Sequence, residues 1–124
     1  MSRVLAFDFG ASTGRAILAE YNGEKIEYNE IHRFDNVLCE QNGMLCWDFD
    51  YLLGEVKKAI SLAENADSLA FDTWGVDYGM LDKDGNLVSK PVCYRDDRTK
   101  GMPDKIYQSV SPSKLYAKTG NQIM

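Results

Sequence analysis

Near its beginning the chain reads Phe7-Asp8-Phe9-Gly10-Ala11-Ser12-Thr13-Gly14-Arg15, where an apolar run ends in a carboxylate and a glycine-rich turn. Residues 4–7 form a strand-like apolar run, and residues 16–19 resume one directly after the turn. Gly10 and Gly14 permit backbone conformations that are closed to bulkier residues. We therefore predict a hairpin between two strands here, rather than a turn from a strand into a helix.

This turn has the residue types of an anion-binding site. The amide N–H groups of such a turn can point inward as a nest, Ser12 and Thr13 add hydroxyl donors, and Arg15 adds fixed positive charge. Asp8, at the mouth of the strand, can hold a divalent cation directly or through water. The sequence contains neither Gly-x-Gly-x-x-Gly nor the Walker pattern ending in Gly-Lys-Ser/Thr. An Asp-x-Gly before a hairpin often serves only to form the turn. The rest of the chain therefore has to distinguish an anion-binding site from an ordinary hairpin turn.

Composition limits the class of protein. The chain has 124 residues, a net charge of −5, 44% hydrophobic and 27% charged residues, which suits one soluble domain at most. The acidic balance and the lack of a Lys/Arg cluster argue against a general nucleic-acid or membrane-surface binder. No leader-like segment or membrane-length apolar run is present in the sequence, so we expect a cytoplasmic protein.

The cysteines predict neither a zinc site nor a disulfide framework. Cys39, Cys46 and Cys93 are odd in number and have no Cys-x-x-Cys spacing. We expect them to be reduced, buried thiols.

The first half of the chain predicts an antiparallel meander. Strands are expected at about 3–9, 15–21 and 25–34, with Asn22-Gly23 as the hairpin turn between the second and the third. A further short strand is expected at 44–47, after a polar turn.

A helix and a parallel strand should follow this meander. Asp48 can cap a helix that runs to about residue 64. Its predicted sheet-facing side chains are Phe49, Leu52, Leu53, Val56, Ile60 and Ala63, with Glu55, Lys57, Lys58 and Glu64 largely opposite. Residues 68–71 then predict a buried strand parallel to the first, reached by a helical crossover.

The remaining segments predict a second hairpin and two short helices. The hairpin is expected to turn at 82–86, and Pro91 keeps the extended segment after it away from a central position in a sheet. Short helices are expected from Pro103 to Val110 and from Ser111 to Gly120.

These elements form the beginning of an α/β, ribonuclease-H-like domain with a mixed sheet, the unit that is doubled in sugar kinases, actin and Hsp70 chaperones. The residues themselves resemble the N-terminus of the FGGY carbohydrate kinases, and within them most closely the rhamnulokinases. The phosphate turn is shared widely across the superfamily, whereas Asp72-Thr73-Trp74-Gly75-Val76-Asp77 is much more specific. The other matching blocks are Glu30-Ile31-His32-Arg33-Phe34, Gln41-Asn42-Gly43, Trp47-Asp48, Pro91-Val92, Tyr94-Arg95-Asp96 and Arg98-Thr99.

The resemblance implies that residues 1–124 are the N-terminal part of the first kinase domain, without the rest of that domain or the second one. It implies ATP and Mg²⁺ as cofactors, with Asp8 helping to place the metal. The implied nucleotide-binding residues are Asp8, Gly10, Ala11, Ser12, Thr13, Gly14 and Arg15.

The resemblance also implies a sugar-binding segment. Gly75 matches a ketose-contacting position, and Trp74, Asp72 and Asp77 surround it in the sequence. The segment with Arg95 and Asp96 is expected near the same cleft. Each set also has a plain structural interpretation: the aspartates as turn or cap residues, Trp74 as core, the 95–98 charges as a solvated cluster. His32 is expected to be a strand-surface residue.

The activity implied is transfer of the γ-phosphoryl group of ATP to the primary hydroxyl of a keto-sugar, here L-rhamnulose to its 1-phosphate. Two classes of alternative stay open: a kinase for L-fuculose or another deoxy-ketose, and a non-enzymatic protein, either an ATP-binding module of the actin/Hsp70 type or a small interaction domain. The carboxylate that accepts the hydroxyl proton in such kinases is expected beyond Met124. We therefore predict no catalytic residue within this chain, no turnover by the isolated chain, and self-association through an unpaired sheet edge.

Overall fold

A computed structural model of the protein describes residues 1–121. The last three positions of the predicted 1–124 unit lie outside the described residues. The strands are β1 Ser2–Phe9, β2 Thr13–Tyr21, β3 Ile26–Asp35, β4 Leu38–Gln41, β5 Met44–Trp47 and β6 Ser68–Asp72. The helices are α1 Phe49–Leu62, α2 Met102–Tyr107 and α3 Pro112–Thr119, with a single 3₁₀ turn at Asp97–Thr99.

The main sheet has the strand order β3-β2-β1-β6. β1 is antiparallel to β2 and parallel to β6, and the chain crosses from the meander to β6 through α1. This confirms the predicted meander, crossover helix and parallel fourth strand. The register sets Asp8 opposite Arg15 on one side and opposite Asp72 on the other, so three polar side chains share one end of the sheet.

The core between α1 and the sheet differs in part from the predicted helix face. The buried contacts are made by Phe7 and a set of aliphatic side chains: Leu5, Ala16, Val56, Ala59 and Ala63. Leu53 and Ile60, predicted to face the sheet, are 37% and 41% exposed, whereas Ala59 is fully buried. The apolar stripe of α1 is therefore wider than its contact with the sheet, and the contact is centred on the small Ala59, between Val56 and Ala63.

His32 and Glu55 were also placed wrongly by the pattern. Both were expected on solvent-facing surfaces, but their side chains are only 11% and 18% exposed, and His32 Nε2 lies 2.5 Å from Glu55 Oε2. α1 lies across β3, so this part of its polar face is covered. The two polar groups satisfy each other, which a buried polar pair requires.

β6 is exposed at all five positions, which contradicts its prediction as a buried strand. It is an edge strand with β1 as its one neighbour in the described part of the chain. Phe71 is 55% exposed although its ring stacks on Phe7 at 4.8 Å between centroids. A strand with one neighbour and an incompletely covered face cannot be buried, whatever its apolar content.

A small second sheet pairs β4 with β5. β4 was not predicted. The segment that contains Pro91 lies along β5: Trp47 N–H donates to the Pro91 carbonyl, and Cys93 N–H donates to the Leu45 carbonyl, both at 2.9 Å. Because Pro91 sits at this outer position, its missing N–H leaves no gap in the ladder.

The three cysteines are free thiols, as expected, and burial raises the pKa of Cys46 and Cys93. Cys39 is only half-buried. The predicted hairpin around 82–86 is present with a single bridge, Leu81 to Leu87.

α3 follows the predicted capping chemistry, whereas α2 has Pro103 in its first turn but no side-chain cap. Ser111 Oγ accepts a hydrogen bond from Lys114 N–H, and Gly120 ends α3 with a φ of 67°. α2 is shorter than predicted and stops at Tyr107. No helix within residues 1–121 combines the length and the apolar character that a membrane crossing needs.

Candidate functional site

The bend between β1 and β2 has unoccupied main-chain donors at its tip. Gly10 N–H closes the bend by donating to the Thr13 carbonyl at 3.0 Å. Ala11 and Ser12 are exposed, and within residues 1–121 their N–H groups have no hydrogen-bond partner. Free, exposed N–H groups in a tight bend, beside the guanidinium of Arg15, are the donors that an anionic phosphate needs.

Two side chains from distant parts of the chain hold this bend. Asn36 Nδ2 donates to the Gly10 carbonyl at 2.7 Å, and Trp74 Nε1 donates to the same oxygen at 2.9 Å. The main-chain N–H of Asn36 also donates to the Ser12 carbonyl at 2.8 Å. Asn36 was missed by the sequence reasoning. The sequence shows only that Asn36 is a polar residue directly after β3. This position comes to lie beside the bend only when the sheet forms.

The acidic residues at the strand ends can contribute to a cation site. Asp8 forms an ion pair with Arg15 at 2.7 Å, and both side chains are about two-fifths exposed (39% and 40%). Asp72 is exposed and pairs in register with Asp8, since the carboxyl ends of parallel strands meet at one edge of a sheet. Oxygen ligands suit Mg²⁺, which typically takes one or two carboxylates and completes its shell with water and substrate phosphate. The carboxylates of Asp8 and Asp72 therefore fit Mg²⁺ that is also bound by water and phosphate. The described residues include no cluster of three or more His, Cys, Asp or Glu that would enclose a metal.

The segment after β6 is held by a pair of tryptophans. The Trp74 and Trp47 rings stack with centroids 3.9 Å apart and planes 4° apart. Trp47 is buried, and its Nε1 donates to Asp77 Oδ2 at 2.6 Å. Phe9 meets Trp74 edge-on at 5.8 Å. The Trp74 ring is thus held by other side chains and is only partly buried. Trp47, like Asn36, is a residue for which the sequence predicted no role in the site.

Gly75 lies at an open position. It is exposed, and a Cβ built on it would meet no atom within 4 Å. Its neighbours Trp74 and Asp77 help to line a groove of about 160 Å³ together with Tyr78 and Pro91. The protein itself therefore does not require a glycine at position 75 for packing.

Gly14 lies inside β2 rather than in the bend. A Cβ there would stand 2.3 Å from the Phe34 ring, so the missing side chain of Gly14 makes room for that ring. Thr13 also belongs to β2, which makes the bend shorter than the sequence suggested.

Arg95 and Asp96 form a separate group. The Asp96 carboxylate accepts hydrogen bonds from Leu45 N–H at 2.7 Å and from Arg98 N–H at 2.9 Å. The hydrogen bond from Leu45 N–H, followed by that from Arg98 N–H, makes the largest contribution to lowering the pKa of Asp96 below its ordinary value. Arg95 Nε donates to the Tyr94 hydroxyl at 3.1 Å. Among the described residues, no hydrogen bond connects this group with the bend or with Trp74. The Tyr94 ring lies 6.3 Å from the Trp47 ring, so the group borders the tryptophan pair without bonding to it.

Comparison with known proteins agrees with these observations. The family model for the FGGY family of carbohydrate kinases, N-terminal domain, matches residues 3–124. Curated relatives named rhamnulokinase are similar over nearly the whole chain. That of Mannheimia succiniciproducens is 42% identical over 127 residues, covering 98% of this chain and 26% of the relative. That of Halalkalibacterium halodurans is 40% identical over 126 residues, covering 98% of this chain and 27% of the relative. The chain thus spans about a quarter of the length of these relatives.

The fold also matches a solved structure. The crystal structure of ligand-bound xylulose kinase from Lactobacillus acidophilus superposes with a TM-score of 0.73 at 15% identity, covering 97% of this chain and 25% of that chain. At this identity the match concerns the fold alone. It confirms the predicted mixed-sheet, sugar-kinase fold, and the family model matches the chain to an N-terminal domain.

Proposed function

The chain belongs to the FGGY family of carbohydrate kinases, and from this we propose that the complete polypeptide containing it transfers the γ-phosphoryl group of ATP to L-rhamnulose, giving L-rhamnulose 1-phosphate. The choice of sugar is supported by the relatives, named rhamnulokinase, at 39–42% identity. The proposed reaction consumes ATP and is expected in the cytoplasm.

The observation that carries the proposal is the hydrogen bond from Trp74 to the Gly10 carbonyl. It connects the bend, whose tip has free N–H donors, to the segment that contains Gly75. A nucleotide phosphate at the bend and a small sugar at Gly75 would then be close enough for direct transfer, which phosphoryl transfer requires.

On the nucleotide side, the proposed contacts are the N–H groups of Ala11 and Ser12, with the Thr13 hydroxyl and Arg15 beside them. Asp8 would hold Mg²⁺ with phosphate oxygens, and the metal would neutralise charge on the phosphates. On the sugar side, the open position at Gly75 admits the substrate close to the backbone.

We propose that residues 1–124 are the N-terminal part of the first kinase domain. The carboxylate that accepts the proton of the sugar hydroxyl, and the adenosine-binding residues, would belong to the rest of the polypeptide. The isolated chain is therefore expected to transfer no phosphate.

The test uses the complete gene product with ATP and Mg²⁺, and offers L-rhamnulose and L-fuculose in parallel. We expect ADP release with L-rhamnulose and a product 80 Da heavier, with the phosphate at the primary carbon by ³¹P NMR (80 Da is about the mass of one HPO₃ unit). Preference for L-fuculose would replace the proposed sugar and keep the kinase. Tight ATP binding without phosphorylation of either ketose would favour a non-enzymatic ATP-binding module.

A parallel assay uses the isolated 124-residue chain under the same conditions. Phosphorylation above background would contradict the proposal that the proton acceptor lies outside this chain.

A further inference from the structure

We propose that Trp74 and Asn36 are positioning residues that aim a nucleotide-binding N–H group by holding the Gly10 carbonyl, and that this carbonyl couples sugar binding to nucleotide binding. The inference rests on the proposed function and specifies how the two halves of the site act together.

The first step concerns the peptide between Gly10 and Ala11. Its carbonyl oxygen has two lone pairs, and it accepts two hydrogen bonds, from Asn36 Nδ2 and from Trp74 Nε1. A trans peptide is planar, so the N–H of Ala11 points away from the carbonyl of Gly10. Holding the oxygen toward Asn36 and Trp74 therefore aims the Ala11 N–H in the opposite direction. That N–H has no partner among residues 1–121, which leaves it available to an anion.

The second step concerns the Trp74 ring. One face is covered by Trp47 at 3.9 Å, Phe9 meets the ring edge-on, and the ring N–H is used by Gly10. The side chain is therefore fixed by contacts within the protein and has no free donor for a sugar hydroxyl. Trp74 therefore acts on the bend through Gly10, and its ring also lines the groove beside Gly75.

The third step concerns the backbone around Gly75. Trp74 precedes it, and Asp77, which follows two residues later, is bonded to Trp47, the residue stacked on Trp74. Both ends of this short open segment are thus tied to one tryptophan pair. A ligand that orders the backbone at Gly75 would order the Trp74 ring and, through it, the Ala11 N–H. The expected result is that sugar binding tightens nucleotide binding, with reciprocal coupling.

The test is the variant Trp74→Phe in the complete gene product, which keeps an aromatic ring against Trp47 and removes the donor to Gly10. We expect the Kd of ATP, measured by calorimetry, to rise roughly tenfold, the change that follows from losing about one hydrogen bond. The Kd of the sugar, measured without nucleotide, should change less than twofold, because the coupling acts only when both ligands are bound. The tightening of ATP binding by saturating sugar, present in the unmodified protein, should be lost.

Asn36→Ala serves as the second variant, because it removes the other donor to the same oxygen without touching the Gly75 segment. It should weaken ATP binding in the same direction. Ala59→Gly is the matched control for lost stability, since Ala59 is buried between α1 and the sheet, away from the bend. It should lower the melting temperature and leave the Kd of ATP unchanged.

Three results would overturn the inference. One is a rise in the nucleotide-free Kd of the sugar with an unchanged Kd of ATP, which would make Trp74 a sugar-contacting residue. The second is unchanged ATP binding in both Trp74→Phe and Asn36→Ala. The third is a loss of ATP binding in Ala59→Gly equal to that in the two variants, which would indicate a general loss of folded protein.

Failure of the proposed function has a different signature. If the unmodified protein binds ATP but phosphorylates no ketose, the proposed reaction is wrong, and the ATP affinities of the variants still decide this inference. If the unmodified protein binds no ATP, both the proposed reaction and this inference are wrong.

Discussion

Two glycines of this chain lack a side chain for opposite physical reasons. Gly75 faces open space, so a methyl group there would disturb only a ligand. Gly14 faces the Phe34 ring, so a methyl group there would disturb the protein itself. Substitution by alanine should therefore change the KM of the sugar at position 75 and the free energy of unfolding at position 14.

Gly75→Ala should leave folding intact and impair the sugar half of the reaction. The added Cβ meets no protein atom within 4 Å, so the free energy of unfolding should stay the same or rise by about 0.5 kcal/mol. The KM of the sugar in the complete gene product should rise roughly tenfold, the usual scale for one methyl group at a substrate contact.

Gly54→Ala is the matched control for this substitution. Gly54 lies in α1 and is also open, so the change should raise stability by about 0.5–1 kcal/mol through helix propensity and leave the KM unchanged. Equal kinetics for Gly75→Ala and the unmodified protein would remove Gly75 from the sugar site.

Gly14→Ala should destabilise the fold by about 1–3 kcal/mol, measured by urea unfolding, because it overpacks the core. Its Cβ would stand 2.3 Å from Phe34, whose ring is 5% exposed and packed against Trp47 and Leu52. The ring therefore cannot move aside freely. The double variant with Phe34→Leu should recover part of the loss, and strictly additive effects would contradict a direct clash.

Between elements, Asp96 fastens the segment after Pro91 to β5. Its carboxylate accepts from Leu45 N–H and caps the 3₁₀ turn through Arg98 N–H, and its side chain is 7% exposed. The bond from Leu45, with that from Arg98, lowers the pKa of Asp96 from an ordinary 3.8. From the sequence, the same residue was expected either near the sugar cleft or in a solvated cluster of charges.

This lowered pKa predicts acid sensitivity. Because the folded pKa lies below the unfolded one, the unfolded chain binds the proton first as pH falls. The stabilisation is therefore present above pH 3.8 and is lost as pH falls through the folded pKa. Asp96→Asn should reduce the slope of the unfolding free energy against pH in acid, measured by urea unfolding from pH 7 to pH 3 (a range about the ordinary carboxyl pKa). Parallel curves for the two proteins would assign the acid response to other carboxylates.

For the molecule as a whole, the open side of the main sheet carries the largest consequence. Among the strands that the structure describes, β6 has one neighbour. Its single charge is Asp72 at its end, and Leu69 and Phe71 are 48% and 55% exposed. An apolar groove of about 270 Å³ runs between this strand and α1, lined in part by Phe49 and Leu53. An edge strand that lacks charged residues to block its edge tends to pair with another strand.

We predict that the isolated chain associates through this edge, with a second copy pairing strand to strand and covering the apolar groove. Sedimentation velocity should show concentration-dependent dimers or larger species. Leu69→Lys should shift the chain toward monomer, since it places a charge on the edge and in the apolar face. Ile26→Lys, at a 61% exposed position on the opposite edge strand, is the control and should change association little. A clean monomer at high concentration, or equal effects of the two substitutions, would contradict the prediction.

Local patterns were enough to predict the meander, the crossover helix, the parallel strand and the caps of α3. Each depends on alternation, turn residues or capping side chains that lie within a few positions of one another, so a single sequence reveals them. The same holds for the bend with Asp8 and Gly10, whose strand-turn-strand chemistry is contained in nine consecutive residues.

The contacts that shape the site have no such local signal. Asn36 and Trp74 reach the Gly10 carbonyl across 26 and 64 positions, and Trp47 reaches Asp77 across 30. Burial is equally non-local: His32 is covered because α1 crosses it, and β6 is exposed because it has one neighbour within residues 1–121. Hydrogen bonds and burial depend on which segments the folded chain brings within a few ångströms, and the distance along the chain between two residues carries no information about that.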